Sequence, residues 1–281
     1  MLVTRFAPSP TGRLHLGHAY SAVLGHQRAR EGGGQFLLRI EDLDQTRSRP
    51  EFVFGIEEDL RWLGIQWDGE PLIQSERTAV YAETLEQLRG RGLVYPCFCT
   101  RADIAASLTA PHGDAGSSYP GNCRALPDDP ERRATMPHCW RLDCRKALSV
   151  ARLPSWNEGA TRFEASERDI GDAILARKDA PASYHLACVV DDAASGVTLV
   201  VRGADLRPST AIQRLLQELL GLPEPAYFHH PLITHDDGRR LAKRDFAPTL
   251  AAMREAAIDG PTLARDLLTG LLPSGFRLQQ A

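Results

Sequence analysis

The spacing of apolar residues predicts alternating strands and helices in the first part of the chain. Short apolar runs at residues 2–7 and 35–40 predict buried strands. Helical spacing, interrupted by Gly and Pro, predicts helices at residues 16–30, 50–62 and 76–91. Because strands and helices of these lengths alternate, we expect a parallel sheet covered by helices.

The pattern changes after residue 95. Residues 97–180 combine weak periodicity with several Pro and Gly, which predicts an inserted subdomain. Alternation then resumes, with predicted strands at 184–190, 197–201 and 227–234 and a predicted amphipathic helix at 208–220. The predicted segments are the two halves of one α/β domain at 1–96 and 181–245, the insertion at 97–180 and a helical C-terminal segment at 246–281.

Composition and charge exclude several classes of protein. Hydrophobic residues make up 43% of the chain and charged residues 25%, which excludes a disordered chain, a collagen-like chain and a coiled coil. No apolar run approaches the ~18 residues of a membrane span, and the N-terminus does not resemble a signal peptide. We therefore expect a cytoplasmic monomer without a membrane partner. The net charge of -3 gives no global basic field, so an RNA partner requires a local patch.

Five of the six cysteines lie within residues 97–144. In a cytoplasmic protein such a cluster indicates a metal more than disulfides. Cys97, Cys99 and Cys123 supply three thiolates for a zinc ion, which takes four tetrahedral ligands in structural sites. The fourth ligand stays open among His112, His138, Cys139 and Cys144. Spacing alone favours Cys139 or His112, and the alternative is a set of free buried cysteines without metal.

A histidine-containing segment lies where the first predicted strand meets the first predicted helix. Residues 8–18 have the sequence PSPTGRLHLGH. In an open α/β sheet, nucleotide phosphates bind at this junction, against a helix N-terminus. Gly17 allows a ligand to approach the backbone, and His15 and His18 share one helical face, from which they can donate hydrogen bonds to phosphate. The alternative is a pair of surface histidines.

Five segments, in order, resemble the sequence blocks of the glutamyl-tRNA synthetase group of class I aminoacyl-tRNA synthetases. The segments are 8–18, which resembles the HIGH signature, then 38–44, 184–192, 201–205 and 240–244. The last resembles the KMSKS loop, with Arg240 where the family often has Lys and Ala242 where it has Ser, whereas Lys243 is retained. The resemblance implies a Rossmann-type α/β catalytic domain with a parallel sheet, interrupted by a zinc-bearing insertion.

The chain is short for that group. Glutamyl-tRNA synthetases continue into a helical anticodon-binding region, and residues 246–281 are too few for one. This pattern resembles the glutamyl-queuosine tRNA(Asp) synthetase family, the short paralogue. The resemblance implies a ligase that uses ATP and Mg²⁺ to activate L-glutamate as glutamyl-adenylate without tRNA. It then transfers glutamate to the queuosine at the wobble position of tRNA(Asp). Two alternatives stay open: a truncated glutamyl-tRNA synthetase that charges a tRNA 3′ end, and a non-catalytic zinc-bearing RNA-binding module.

A glutamate pocket can be predicted from charge. Glutamate carries one ammonium and two carboxylates, so a selective pocket needs guanidinium groups and one anion. Arg5 and Arg202, near the ends of predicted strands, are the expected carboxylate ligands, and Glu41 is the expected partner of the ammonium. The other predicted glutamate contacts are Ala7, Ser9 and Tyr184. The alternative is an ordinary ion pair between Arg5 and Glu41.

The resemblance also assigns roles to particular residues. His15, His18 and Lys243 are expected to act catalytically on the triphosphate of ATP, with Gly17 as a further ATP contact. The family has a tyrosine four residues before its last zinc-binding cysteine, and Tyr119 stands at that position, which makes it the fourth zinc ligand that we predict. Two more histidines stay open between packing and contact with ATP: His229 and His230.

Overall fold

The computed structural model describes residues 1–100, 102–104, 119–166, 169–177, 180–241 and 248–279. Its α-helices are α1 Leu16–Glu31, α2 Pro50–Trp62, α3 Thr78–Gly90, α4 Pro130–Thr135, α5 Cys144–Val150, α6 Tyr184–Ala194, α7 Ser209–Leu220, α8 Leu250–Glu255 and α9 Gly260–Thr269. Its strands are β1 Val3–Phe6, β2 Gln35–Ile40, β3 Leu72–Ile73, β4 Val94–Cys97, β5 Cys139–Leu142, β6 Ser155–Glu158, β7 Thr161–Glu164, β8 Ile174–Ala176, β9 Leu199–Gly203, β10 Ala226–His230, β11 Leu232–His235 and β12 Phe276–Gln279. Of these helices, none has both the length and the hydrophobicity to cross a membrane.

Two parallel sheets meet edge to edge at the centre of the molecule. One has the order β1-β2-β3, and the other contains β9, β10 and β6, with β7 added antiparallel to β6. The backbone N–H of Thr198 donates to the carbonyl of Val3 at 2.9 Å, which joins the two sheets beside β1. The strand order therefore reverses between β1 and β9, which is the topological switch point of a doubly wound fold. The predicted parallel α/β architecture is confirmed.

Helices cover both faces of this sheet. Phe36, Leu38 and Ile40 of β2 pack in one apolar cluster with α1, α2, α8 and α9. Leu37, between them, contacts a second cluster that contains residues of α3, α6 and α7. Because side chains alternate across a strand, the two clusters lie on opposite faces of the sheet. A strand that packs on both faces is rich in apolar residues, which explains the run Phe36–Leu38 in β2, whereas the buried Arg39 needs polar partners.

The predicted strand at residues 184–190 is wrong, because these residues begin helix α6. The Ser183 hydroxyl accepts a hydrogen bond from the backbone N–H of Leu186 and caps the helix. All residues from 186 to 192 are buried. A helix that is buried on every side has no polar face, so its sequence has the same apolar run as a buried strand.

Two other predictions needed correction near the C-terminus. The predicted strand at 227–234 is two strands, because Pro231 separates β10 from β11 and has no backbone N–H for a sheet. The segment 246–281 is not helical throughout, since β12 follows α9 and pairs antiparallel with β11. The amphipathic helix predicted at 208–220 is confirmed as α7.

The segment 97–180 is mostly antiparallel. Strands β4, β5 and β8 form a three-stranded antiparallel sheet, and β6 and β7 form a hairpin. The hairpin joins the parallel sheet through the pairing of Glu158 in β6 with Tyr227 in β10. Our boundaries for the inserted subdomain stay a prediction, but this contact joins its last third to the α/β sheet.

Candidate active site

A cavity of about 500 Å³ opens at the switch point, beside the carboxyl ends of β1, β2, β9 and β10. Its lining includes every described residue for which we predicted contact with glutamate or ATP: Arg5, Ala7, Ser9, His15, Gly17, His18, Glu41, Tyr184 and Arg202. Lys243 lies outside the described residues, but Arg240 and Leu241, which precede it, also line the cavity. Segments far apart in the chain therefore meet at one site.

The N-terminus of α1 forms one wall of this cavity. The backbone N–H of Gly17 donates to Nδ1 of His15, and the backbone N–H of His15 donates to Nδ1 of His18, both at 3.1 Å. Since each Nδ1 is an acceptor, a neutral ring carries its proton on Nε2. Two Nε2–H donors and the positive end of a helix dipole make this wall suited to an anion such as phosphate.

Gly17 leaves space for the His15 ring. A Cβ atom built on Gly17 would lie 3.1 Å from Cε1 and 3.2 Å from Nδ1 of His15. These contacts are tighter than ordinary van der Waals packing, so an alanine at this position would displace the imidazole. The glycine predicted to admit a ligand therefore also sets the position of a predicted phosphate contact.

Arg202 also lines the cavity and is buried, with 4% exposure. Its Nη1 donates to Oε1 of Gln213 at 2.7 Å and to the hydroxyl of Tyr184 at 3.3 Å. Its Nη2 donates to the hydroxyl of Thr210 at 2.9 Å, and its Nε donates to Nε2 of His229 at 3.1 Å. Neutral acceptors hold this guanidinium, and within the described part of the chain no carboxylate pairs with it.

Arg5 and Glu41 are not paired with each other. Nε of Arg5 donates to Oδ1 of Asp192 at 2.9 Å, whereas Glu41 accepts from Nη2 of Arg39 at 3.0 Å. Arg39 also donates to Asp192, which therefore lies between two guanidiniums. Burial opposes ionisation of the Asp192 carboxyl, but the two arginines outweigh it and lower its pKa to about 2.

Among the described residues, a buried group of three arginines and two carboxylates beside the cavity carries one positive charge in excess. Arg5, Arg39 and Arg202 are guanidiniums, and Asp192 and Glu41 are carboxylates in contact with two of them. A buried cation needs a compensating anion. Glutamate at neutral pH carries a net charge of −1, so its binding would neutralise the group.

Sequence reasoning missed the residues behind the lining. The sequence analysis assigned no role to four residues that contact the lining: Arg39, Asp192, Thr210 and Gln213. The first two lie within segments that carry the family resemblance. A signal existed, because a charged residue inside an apolar run must find a partner in the folded protein. Of the two histidines left open, His230 lines the cavity and His229 lies behind Arg202.

Three cysteines come together in the segment 97–180. The thiol sulfurs of Cys97, Cys99 and Cys123 lie within 4.8 Å of one another. The Tyr119 hydroxyl lies 3.3 Å from the first sulfur and 3.4 Å from the second. A tetrahedron with zinc–sulfur bonds of about 2.3 Å places its sulfurs about 3.8 Å apart, so this cluster can hold a metal.

Four other residues were candidates for the fourth zinc ligand: Cys139, Cys144, His138 and His112. Cys139 pairs with Cys97 across β4 and β5. Its hydrogen bond is the main cause that lowers the pKa of the Cys97 thiol, to about 4, and so favours the thiolate that binds metals. Cys144 donates to a backbone carbonyl instead. Among the described residues, neither Cys144 nor His138 belongs to the three-cysteine group, and His112 lies outside the described residues.

Comparison with known proteins identifies the family. Residues 1–277 match tRNA synthetases class I (E and Q), catalytic domain. The chain is 48% identical over 265 residues to the glutamyl-Q tRNA(Asp) synthetase of Rhodobacter capsulatus, a match that covers 90% of this chain and 95% of the relative. It is 44% identical over 286 residues to that of Symbiobacterium thermophilum, with 97% and 88% covered. The chain belongs to the glutamyl-Q tRNA(Asp) synthetase family.

Solved structures agree with this family assignment. A glutamate–tRNA synthetase from Elizabethkingia anophelis superposes with a TM-score of 0.81 at 27% identity, covering 96% of this chain. A glutamate tRNA ligase from Elizabethkingia meningosepticum, solved with its amino acid, gives a TM-score of 0.80 at 27% identity, again over 96% of this chain. The chain spans 61% and 60% of these two longer proteins. The resemblance seen in the sequence is confirmed, and the protein is a ligase of the class I aminoacyl-tRNA synthetase type.

Proposed function

We propose that the protein activates L-glutamate with ATP, without tRNA, and then transfers it to the queuosine at the wobble position of tRNA(Asp). One observation carries the proposal. One cavity at the switch point has a wall suited to phosphate, the N-terminus of α1, and is also bordered by buried arginines that, among the described residues, have one positive charge in excess. ATP and glutamate fit these two regions, and the name of the relatives, glutamyl-Q tRNA(Asp) synthetase, supports queuosine as the acceptor.

In the first step, a carboxylate oxygen of glutamate attacks the α-phosphorus of ATP, and pyrophosphate leaves. Arg5, Arg202 and Glu41 hold the glutamate, and Ala7, Ser9 and Tyr184 complete its contacts. His15, His18 and Lys243 stabilise the negative charge that grows on the phosphates. No protein side chain forms a covalent bond. Mg²⁺ bound with ATP supplies further charge neutralisation.

Activation without tRNA is supported by the way in which Arg202 is held. Gln213, Thr210, His229 and Tyr184 fix its guanidinium through contacts within this chain. A donor that is already in position needs no further partner to order it before glutamate binds. Pyrophosphate exchange should therefore depend on glutamate and not on tRNA.

A second cavity supports transfer to a nucleoside. It has a volume of about 720 Å³ and shares Ser9, Glu41 and Tyr184 with the first cavity. Arg141 and Asp172 of the segment 97–180 also line it. An acceptor hydroxyl placed there would attack the carbonyl carbon of the adenylate and release AMP. Splayed bases of an anticodon loop are usual targets of RNA recognition, and phosphate contacts would make the transfer sensitive to salt.

The test of this function compares two acceptors. [¹⁴C]Glutamate transfer should occur to queuosine-containing tRNA(Asp) and not to queuosine-free tRNA(Asp), each with its 3′ adenosine removed. Equal labelling of both would refute the acceptor, and label that disappears with the 3′ adenosine would favour a truncated glutamyl-tRNA synthetase. If the protein shows no glutamate-dependent pyrophosphate exchange, the non-catalytic zinc-bearing RNA-binding module is the alternative that would remain.

We also propose one structural zinc ion, held by Cys97, Cys99, Tyr119 and Cys123. A metal would have to lower the pKa of the Tyr119 phenol, which burial raises, because the phenolate is the ligand. Purified protein should contain about one zinc per chain, and Cys123→Ser should release it. Tyr119→Phe is the sharper variant: zinc content and affinity that survive it unchanged would assign the fourth ligand to another residue, with Cys139 and His112 next.

A further inference from the structure

A chain of hydrogen bonds leads from the insertion to the glutamate pocket. It begins at Glu158 on β6, passes through His229 on β10 and ends at Arg202 on β9. Oε1 of Glu158 lies 2.7 Å from Nδ1 of His229, and Nε2 of the same ring lies 3.1 Å from Nε of Arg202. The His229 side chain has no exposed surface, and the Glu158 side chain is 10% exposed.

The protonation state of His229 follows from its partners. A guanidinium can only donate, so Nε2 of His229 must accept from Arg202 and carries no proton. The proton of the neutral ring is therefore on Nδ1, which donates to Glu158. The Thr210 hydroxyl agrees with this arrangement, because it accepts from Nη2 of Arg202 at 2.9 Å and lies 3.3 Å from Nε2, to which it can donate.

The carboxylate of Glu158 is itself held in place. Oε1 also accepts from the indole N–H of Trp156 at 2.9 Å, and Oε2 accepts from Arg207 at 3.1 Å. Burial opposes ionisation of this carboxyl, but the Trp156 hydrogen bond, His229 and Arg207 together keep its pKa below the ordinary value. The neutral form of His229 is favoured as well, since burial and the nearby Arg202 lower its pKa to about 4.

We propose that Glu158 and His229 are positioning residues for Arg202: the carboxylate fixes the imidazole tautomer whose unprotonated Nε2 orients the guanidinium toward the glutamate carboxylate. This inference rests on the proposed glutamate activation. It gives the insertion a part in the amino-acid pocket, because Glu158 lies within residues 97–180. The hairpin β6–β7 then has two roles: it pairs with β10, and it supplies the carboxylate that orients Arg202.

The matched variants are Glu158→Met and Glu158→Gln. Methionine keeps most of the volume but removes the acceptor, so the KM for glutamate in pyrophosphate exchange should rise about tenfold to hundredfold, the range for a lost hydrogen bond to a charged group. The KM for ATP should change less than about twofold. Glutamine can place its amide oxygen at the Oε1 position and loses only the bond that Oε2 accepts from Arg207, so Glu158→Gln should be impaired less than Glu158→Met. Glu164→Gln, exposed on the same hairpin, should change neither KM.

Two kinetic results would overturn the inference. One is a Glu158→Met protein with an unchanged KM for glutamate. The other is an equal rise of both KM values, which indicates a merely structural role. A Glu158→Gln protein as impaired as Glu158→Met would also contradict it, since the acceptor would then not be the property that matters.

The tautomer can be measured without catalysis. In ¹⁵N-histidine-labelled parent protein, NMR should show the His229 ring neutral with its proton on Nδ1, the signal being assigned by its loss in His229→Gln. A proton on Nε2 would overturn the inference even if both Glu158 variants fail to fold. If the parent shows no glutamate-dependent exchange, the proposed function fails, and the ¹⁵N spectrum still decides the role of Glu158 and His229.

Discussion

The two sides of the cavity are built in different ways. On the phosphate side, His15 and His18 are positioned by backbone groups at most three residues away. On the glutamate side, Arg5 contacts Asp192, which is 187 residues away in the chain, and Arg39 contacts the same carboxylate from 153 residues away. The first side is a local feature of one loop and one helix, whereas the second exists only after distant segments have packed together.

The largest effect should come from the anion shared on the glutamate side. Asp192→Asn would leave Arg5 and Arg39 buried without that anion, so we expect the free energy of unfolding to fall by about 3–5 kcal/mol. Urea unfolding measures this change. Asp237→Asn is the control, because its ion pair with Arg239 is exposed, and it should leave the urea midpoint unchanged. A loss below about 1 kcal/mol for Asp192→Asn would mean that the pair of arginines needs no shared anion.

The same carboxylate predicts a pH dependence. Its pKa falls from an ordinary 3.8 to about 2 on folding, so its ionised form stabilises the folded state above about pH 4. This contribution should disappear as the pH falls through about 2. Asp192→Asn should therefore flatten the loss of stability between pH 4 and pH 2, and an acid limb identical to that of the parent would contradict the assignment.

The next effect concerns Lys243, whose contact with the phosphates is a prediction from the sequence. Lys243 is expected to contact charge that grows as pyrophosphate departs, so Lys243→Ala should raise the barrier of activation by about 2–4 kcal/mol. Glutamate affinity should change little, because the lost contact belongs to the transition state. Single-turnover adenylate formation is the measurement. A rate within a few-fold of the parent would exclude this role.

Substrate selectivity tests the unbalanced charge on the glutamate side. Glutamine has no second carboxylate and would leave a buried guanidinium without an anion. We expect kcat/KM for pyrophosphate exchange to be at least about 100-fold lower with glutamine than with glutamate. Comparable pyrophosphate exchange with both amino acids would show that Arg5 and Arg202 do not recognise the side-chain carboxylate of glutamate.

The smallest effect should be that of Gly17→Ala. Its Cβ would displace the His15 ring, so the KM for ATP should rise a few-fold. Stability should change little, because the gain of about 1 kcal/mol in helix propensity from glycine to alanine opposes a loss of about 1 kcal/mol when the His15 side chain no longer caps α1. Gly55→Ala in α2 is the matched control, since a Cβ there meets nothing within 4 Å, and it should leave the KM for ATP unchanged. An unchanged KM for Gly17→Ala would show that the His15 ring can shift without effect.

The local side was also the side that the sequence predicted in most detail. The segment 8–18 contains the loop after β1, the glycine and both histidines, so spacing and motif together were enough. The strand at 35–40 and the helix at 50–62 were predicted with their structural bounds, because Pro50 and the acidic residues after Ile40 mark the ends of these elements.

The spacing of residues could not predict the side-chain contacts on the glutamate side. Arg5 and Arg202 were named from their strand ends, but the carboxylate that contacts Arg5 is Asp192, which neither the predicted pocket nor the alternative Arg5–Glu41 ion pair included. That carboxylate lies on α6, and the same segment was expected to be a strand. An error in one element thus concealed a contact, because helix and strand turn different residues of an apolar run toward the sheet.

The pairing beside β1 has a consequence for biosynthesis. Val3 and Thr198, whose bonds join the two sheets, are 195 residues apart in the chain. At a translation rate of about 5–20 residues per second, its neighbour β9 leaves the ribosome on the order of 10–40 seconds after β1. During that interval one edge of β1 is unpaired, a state that favours association with other chains. Slow synthesis through residues 97–180 should therefore increase the need for a chaperone.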